Sequence, residues 1–380
     1  MDLTWSTEEE AFRAEARSWL EANVPRDLPS GDTAEGFALH REWERTLFAD
    51  RWAVVSWAEE HGGRAASLWD WLLFEEEYYR AGGPQRVTQN GIFLLAPSIY
   101  EFGTPEQRDG ILPRMAAADD LWCQGWSEPN AGSDLASVAS KARRVDGGWV
   151  LDGQKTWTTR GAFCTHLFGL FRTDPESARH KGLTYLLVPL DTPGVTVRGF
   201  GRLDGDEGFA EVFFEDAFLA DEAVPGGVVL GEVGGGWGVA MATAGSERGL
   251  TLRSPGRFLV TAERVAGLYG RRDFTDAALR RRVADAWMKA EAYQLQTLRT
   301  VTRLAGGDKA GAEASLMKLW WSELDVELHE LALDIIGADA EVEGPWSKGW
   351  QFALSGPIYA GTNEIQRNIA AERLLGLPRK

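Results

Sequence analysis

Trp122-Cys123-Gln124-Gly125-Trp126-Ser127-Glu128-Pro129-Asn130-Ala131-Gly132-Ser133-Asp134-Leu135 is the stretch of this 380-residue chain that organises everything around it. It reads as a strand running into a Pro-Asn-Ala-Gly-Ser turn. Such a turn exposes backbone N–H groups and hydroxyls, which suit the polar edge of a bound ring or a phosphate; an ordinary capped turn has the same composition. The hydrophobic period changes here. Upstream it is helical. Thr7-x-x-Glu10 reads as a capping box, and Phe12, Ala16, Trp19 and Leu20 then share one face. Pro25 ends that helix. Gly36 to Trp52 and Trp69 to Tyr79 follow, the latter with Glu75, Glu76 and Glu77 on its polar side, and Thr104-Pro105-Glu106-Gln107 opens another helix with proline at its first position.

Downstream the pattern is extended, with Leu183 to Pro189 a continuous apolar run. Trp149-Val150-Leu151, Lys155 to Thr159, His166 to Phe171, Leu183 to Pro189, Val195 to Arg198 and Glu211 to Phe214 read as strands separated by Gly and Asp turns. From Trp237 the helical period returns. Trp237 to Tyr269 gives one helix or two, and Leu279 to Thr302, Gly311 to Ile336 and Asn363 to Leu375 give three more. The expected fold is α+β: an N-terminal helical domain over residues 1–119, a β-domain over 120–226 and a C-terminal helical bundle over 227–380. A helical bundle split in this way has to pack its two ends together.

The formal net charge of −17 argues against a nucleic-acid partner, which needs a basic face, but leaves room for an anionic cofactor where positive charge is concentrated. Cys123 and Cys164 read as reduced thiols, and the five histidines do not cluster, so no metal site or Ser-His-Asp triad is expected. The acidic start Met1-Asp2-Leu3-Thr4-Trp5 is unlike a signal peptide. The longest apolar run, Val228 to Gly245, is interrupted by Glu232, so a cytoplasmic protein without a membrane span is expected. Gly234-Gly235-Gly236-Trp237-Gly238 has no Lys-Ser or Lys-Thr after it and reads as a turn entering a helix; His61-Gly62-Gly63 reads as a turn. Most of the 17 tryptophans are assigned to core and interface packing.

Two more stretches join the first. One is Leu151-Asp152-Gly153-Gln154-Lys155-Thr156-Trp157-Thr158-Thr159. The other is Ile358-Tyr359-Ala360-Gly361-Thr362-Asn363-Glu364-Ile365-Gln366-Arg367-Asn368. In this order the three resemble the signature elements of the acyl-CoA dehydrogenase family: a strand followed by Glu-Pro-x-Ala-Gly-Ser-Asp, then Gly-x-Lys-x-Trp-x-Thr/Ser, then Tyr-x-Gly-Thr-x-x-Ile-Gln-Arg. The family's architecture is the α–β–α order read above, and the resemblance covers essentially the whole chain.

The resemblance implies an FAD-dependent α,β-dehydrogenation of an acyl thioester, with the FAD cleft between the β-domain and the C-terminal helices. It implies that the backbone at Trp126 and the hydroxyl of Ser127 meet the flavin's pyrimidine edge. Trp157 lies against the ring and Thr159 near its reactive nitrogen. Ser133 faces the FAD phosphates or the substrate's pantetheine arm, and Thr362 and Glu364 approach the FAD. Tyr359, Ala360 and Arg248 fall to the thioester ligand, Arg248 at its phosphate-bearing end. Many members carry a catalytic Glu immediately before the last Gly-Thr, where this chain has Ala360, which cannot remove a proton. A minority place the base in a Glu-Arg pair on a C-terminal-domain helix, and Ser246-Glu247-Arg248-Gly249 stands at that place, so Glu247 is the expected base.

A second departure is Arg271-Arg272-Asp273-Phe274-Thr275, which keeps the Arg and Phe of an Arg-x-x-Phe-Gly element but not its Gly. A Gly-Gly-x-Gly element beyond it is not evident, with Gly337-Ala338-Asp339 nearby. These losses resemble a branch in which paralogous subunits share flavin sites and handle bulky acyl chains such as sterol side chains. The implied partners are an acyl-CoA or acyl-carrier-protein substrate and an electron-transfer flavoprotein or other acceptor. The chain itself is expected as a homo-oligomer or in a heterotetramer with a paralogous subunit. Two rival readings follow: a non-catalytic partner subunit, favoured by Ala360 and opposed by Glu247, and a dehydrogenase or oxidase acting on a carrier-protein thioester.

Overall fold

The computed structural model describes residues 4–248, 254–271, 276–308 and 311–378; of Ser246, Glu247 and Arg248 it describes the backbone alone. In chain order the helices α1 (Thr7–Asn23), α2 (Ala34–Ala49), α3 (Leu68–Arg80), α4 (Ala96–Phe102) and α5 (Pro105–Ala116) come first. The strands follow: β1 (Trp122–Gly125), β2 (Lys141–Val145), β3 (Gly148–Thr159), β4 (His166–Arg172), β5 (Leu183–Pro189), β6 (Val195–Phe200) and β7 (Phe209–Ala220). Then come α6 (Gly236–Arg248), α7 (Pro255–Gly270), α8 (Ala277–Ala305), α9 (Glu313–Ile336), α10 (Pro345–Ala353) and α11 (Asn363–Arg373). The helix–sheet–helix order is the expected one. Among the described residues no helix is long and apolar enough to cross a membrane, no group of His, Cys, Asp and Glu could hold a metal ion, and both cysteines are free thiols.

These elements form two compact units that cut across the sequence order: Met1–Val24, Ser67–Gly83 and Arg248–Lys380 in one, Pro25–Ala66 and Pro84–Glu247 in the other. The first is helical. Phe258, Tyr293, Trp321, Leu324, Leu328 and Ile335 build its core from α7, α8 and α9. α7 crosses α3 at Gly256, where a Cβ would lie 2.8 Å from the Glu76 Cα, so only glycine admits that approach.

Two local readings need correction in this unit. The α1 box is closed one residue earlier than expected. Ser6, extended at φ −67°, accepts the Glu9 N–H at 3.1 Å, and the Glu9 carboxylate accepts the Ser6 N–H at 2.7 Å. Glu75, Glu76 and Glu77 are not a solvated face: they are buried, at 5, 5 and 2% exposure. Guanidiniums from another helix satisfy Glu76 and Glu77. Arg13 reaches Glu77 at 2.7 Å and Glu76 at 3.3 Å, and Arg17 reaches Glu77 at 2.8 Å. Burial pushes the Glu76 carboxyl above the usual range. Glu77 feels the same burial, but Arg17 and Arg13 hold it below.

The second unit carries the sheet. Its order is β1-β4-β2-β3-β7-β6, with β5 paired to β4. β1 runs parallel to β4, and the long pairings β3–β7, β4–β5 and β6–β7 are antiparallel. A doubly wound parallel sheet is thereby ruled out. β5 is the continuous apolar strand expected, buried from Leu183 to Val188. The two strands expected over residues 149–159 are one strand, kinked where its register against β7 slips between Leu151 and Gly153 and again between Lys155 and Thr158. β2 was not legible, because Lys141-Ala-Arg-Arg-Val145 carries three cations on its exposed positions.

The start of α5, like that of α11 at Asn363, was read to the residue. Thr104 accepts the Gln107 N–H at 3.2 Å while the Gln107 side chain accepts the Thr104 N–H at 3.0 Å. The Gln107 amide also donates to the carbonyls of Gly227 and Val229, at 2.8 and 2.9 Å, tying the helix to the segment after β7. Thr104→Ala is expected to destabilise the protein by about 1 kcal/mol, the usual cost of a lost N-cap, read as a shift of the urea midpoint without a change of slope.

Candidate functional site

The second register slip in β3 leaves Trp157 outside the ladder at φ 58°, in the left-handed region. For a bulky residue that conformation costs about 1–3 kcal/mol and persists only where the surroundings impose it. Its consequence is exposure. Most of the tryptophans are buried or half-buried as assigned, but Trp157 is 60% exposed, held edge-on against Phe200 at 5.3 Å and Phe209 at 5.6 Å. A rigid indole face is thus presented from the sheet.

Beside it lies the end of β1. The Thr156 N–H donates to the Ser127 carbonyl at 2.9 Å, so Trp126 and Ser127 sit next to Trp157 and Thr159 in one unit. The remaining polar atoms here test whether a flavin suits the site. Trp126 Nε1, Gln124 Nε2 and Thr158 Oγ1 are buried and find no hydrogen-bond partner among the described residues. Buried polar groups are normally satisfied. Unspent donors and a hydroxyl on the same segments that carry the exposed indole suit a heteroaromatic ring with carbonyls and ring nitrogens at its edge.

Two residues that sequence reasoning passed over bind this region together. The Lys155 ammonium, with no exposure, donates to Glu128 Oε1 at 2.7 Å and to the Leu170 carbonyl at 2.7 Å. Glu128 accepts the Ala139 N–H at 2.7 Å and the Ser140 N–H at 2.9 Å, closing the loop that carries Ser133. The Glu-Pro stretch and the Gly-x-Lys stretch are therefore joined by a buried ion pair. Burial pushes Lys155 down, and Glu128 offsets that only in part. Glu128 is pushed up by burial but held below the usual carboxylate range by Lys155. The available signal was a lysine within the buried, inward run of a strand, where a charge needs a partner.

A second charge cluster closes β3. Arg160 donates to Asp32 at 2.6 Å, and Arg202 donates to the other Asp32 oxygen at 2.6 Å. Burial pushes Asp32 up, but Arg160 and Arg202 outweigh it and its acidity increases. A carboxylate with a lowered folded-state pKa contributes stability above its unfolded value, near 4, and loses it as pH falls through the folded value. Asp32 and Glu128 both have this sign. Unfolding free energy is expected to fall between neutral pH and pH of about 3, and to fall less in Asp32→Asn, as urea titrations at each pH would show.

The other expected residues stand elsewhere. Ser133 is exposed on the turn, in the same unit as Trp157. Tyr359, Ala360, Thr362 and Glu364 lie together at the entrance to α11 in the helical unit. Thr362 caps α11, its hydroxyl accepting the Ile365 N–H at 3.3 Å. Glu364 is exposed in the first turn, where hydrogen bonds to its own backbone N–H and to Thr362 hold its carboxyl below the usual range. Tyr359 packs 5.8 Å from Trp321. Ala360 is buried in the left-handed region at φ 57°; its carbonyl accepts from Gln366 at 3.0 Å, and its N–H donates to nothing among the described residues. Glu247 and Arg248 close α6, with side chains outside the described residues. Arg272, Asp273, Phe274 and Thr275 are likewise outside them.

Models of the N-terminal, middle and C-terminal domains of acyl-CoA dehydrogenases match residues 6–119, 123–217 and 234–375. Acyl-CoA dehydrogenase IpdE1 of Mycobacterium tuberculosis is 40% identical over 388 residues, spanning 98% of both chains. The Tcur3481-Tcur3483 steroid ACAD superposes with a TM-score of 0.88 at 26% identity over 100% of both chains. The ChsE4-ChsE5 complex from Mycobacterium tuberculosis superposes with a TM-score of 0.86 at 27% identity, again over 100% of both.

Proposed function

We propose that this chain, which belongs to the acyl-CoA dehydrogenase family and is an FAD-dependent oxidoreductase, removes hydrogen across the Cα–Cβ bond of a bulky acyl-CoA thioester. The α-hydrogen of a thioester is a weak acid, so its removal needs a positioned carboxylate and donors for the developing enolate oxygen. Glu247 takes the α-proton. The Ala360 N–H, in a bend with a left-handed φ and no backbone partner among the described residues, donates to the thioester carbonyl oxygen. That undonated N–H is the observation that carries the reading. FAD, when bound, supplies the acceptor for the β-hydride. Trp157 covers one face of the ring and excludes water, Ser127 and the Trp126 backbone hold its polar edge, and Thr159 donates near the reactive nitrogen. Thr362 and Glu364 meet the FAD from α11. Ser133 and Arg248 hold the carrier arm, and Tyr359 flanks the acyl group.

The relatives named a steroid ACAD and a two-subunit complex support a steroid-derived acyl group and a paralogous partner chain that completes the FAD site. The incomplete Arg271 to Thr275 element supports the same assembly. A cytoplasmic location and an electron-transfer flavoprotein as acceptor belong to the proposal. Ala360 alone favours a second reading, a non-catalytic partner subunit. Anaerobic titration tests both: the chain, alone and co-expressed with a paralogous chain, is mixed with straight-chain and steroid-derived acyl-CoAs and acyl-carrier proteins. Bleaching of the yellow flavin by a steroid-derived acyl-CoA supports the proposal. Absence of bleaching with every partner and substrate sinks it.

A further inference from the structure

Within four residues, at the end of β3 and just past it, stand two bulky side chains in the left-handed region, Trp157 at φ 58° and Arg160 at φ 55°. Glycine or asparagine is the usual occupant of such positions. The Arg160 side chain supplies the restraint. It is 4% exposed, and it donates to Asp32 at 2.6 Å and to the Arg86 carbonyl at 3.0 Å. Asp32 is shared with Arg202, which also holds Asp204 at 2.7 Å, and Arg86 is itself paired with Glu44 at 2.7 Å. The Arg160 N–H donates to the Gly208 carbonyl at 2.9 Å, and a Cβ on Gly208 would lie 2.5 Å from the Arg202 guanidinium. Three separate stretches of one unit, at Asp32, Arg86 and Gly208, thus converge on the residue that follows Thr159. Asparagine or glycine would complete the same turn without burying two guanidiniums, so the cluster does more than end a strand.

We propose that Arg160 is a positioning residue for the flavin: the Asp32–Arg160–Arg202 cluster holds the end of β3 so that the Trp157 indole and the Thr159 hydroxyl keep the orientation in which they meet the ring. The inference rests on the flavin reading of β3. Charge balance within the cluster is kept by Asp204 and by Asp206, 3.8 Å from Arg202.

Arg160→Asn is the decisive variant. Asparagine tolerates the left-handed backbone but cannot reach Asp32, and Asp32 keeps Arg202, so no carboxylate is stranded. In the full chain, with its partner subunit if one co-purifies, FAD is expected to bind roughly tenfold more weakly, a tenth of what a misplacement of about 1 Å can cost. The flavin absorption bands and visible circular dichroism should change shape, which a purely structural role would not cause. Arg160→Lys should restore part of the parent spectrum. Asp32→Asn, which leaves the Arg160 backbone untouched, should give the same spectral change, and the double variant should be no worse than Arg160→Asn alone. Parent FAD affinity and spectrum in Arg160→Asn, or a loss of thermal stability with the spectrum intact, overturns the proposal. Trp157→Ala separates the two levels. If it loses FAD while Arg160→Asn does not, positioning fails and the flavin reading stands. If both variants keep the parent affinity and spectrum, the flavin reading of β3 fails and takes this proposal with it.

Discussion

Glu247→Gln is expected to slow flavin reduction by at least about a hundredfold, the lower range for loss of a general base, while leaving FAD content and acyl-CoA affinity close to the parent. The split follows from where the carboxylate acts. Proton removal belongs to the transition state, so its loss affects the rate constant far more than ground-state binding. Glutamine keeps the shape and removes the basicity, and the position usual for this proton acceptor is Ala360, a methyl group with no second carboxylate to substitute. Rapid-mixing anaerobic reduction, with substrate concentration varied to separate binding from the first-order step, makes the measurement. A parent rate in Glu247→Gln would remove this residue from the chemistry and move the non-catalytic subunit into first place. A large drop in FAD content would mean that the residue supports the fold instead.

Lys155→Met should be the most damaging single change in the sheet unit, costing about 3–5 kcal/mol. The substitution roughly preserves volume but leaves Glu128 buried, at 8% exposure, without its cation. Two backbone N–H groups still reach Glu128, so the carboxylate is not wholly abandoned. Its acidity should fall back toward the range burial alone imposes, and the loop through Ser133 should loosen with it. Urea denaturation at neutral pH measures the stability, and limited proteolysis of the native protein measures the loop. Glu128→Gln paired with Lys155→Met should recover much of the loss, because replacing both ions costs less than stranding one. A double variant as unstable as the sum of the singles would show that the pair is not coupled.

The fold was legible because its signals are local. The continuous apolar run over residues 183–189 and the Thr104 box are written within a few neighbours, and both appear in the structure as read. What was lost depends on partners far along the chain. Glu75 to Glu77 look like a solvated face until the fold buries all three and brings Arg13 and Arg17 against Glu76 and Glu77. The β3 kink that exposes Trp157 is set by register against β7, which no window over residues 149–159 contains. The candidate site residues around Trp126 and Trp157 were picked out through a motif, not through physics. Lys155 could have been found by physics, since a cation inside a buried strand requires an anion. Arg160 could not, since a backbone angle leaves no trace in the alphabet.

The interleaving of the two units has a consequence during synthesis. α1 and α3 leave the ribosome early, but the helices α7 and α8 that pack on α3 come after the entire sheet. At 5–20 residues per second, translation of the intervening stretch lasts on the order of ten seconds or more. Throughout that interval the apolar stripe of α3, including Leu72 and Leu73, has only α1 to shelter it. The Arg13 and Arg17 contacts to Glu76 and Glu77 join the two early helices to each other. Nascent-chain solubility therefore falls on one ion-paired couple of helices that are not neighbours in the chain, and a chain stopped anywhere in the sheet is a client for chaperones.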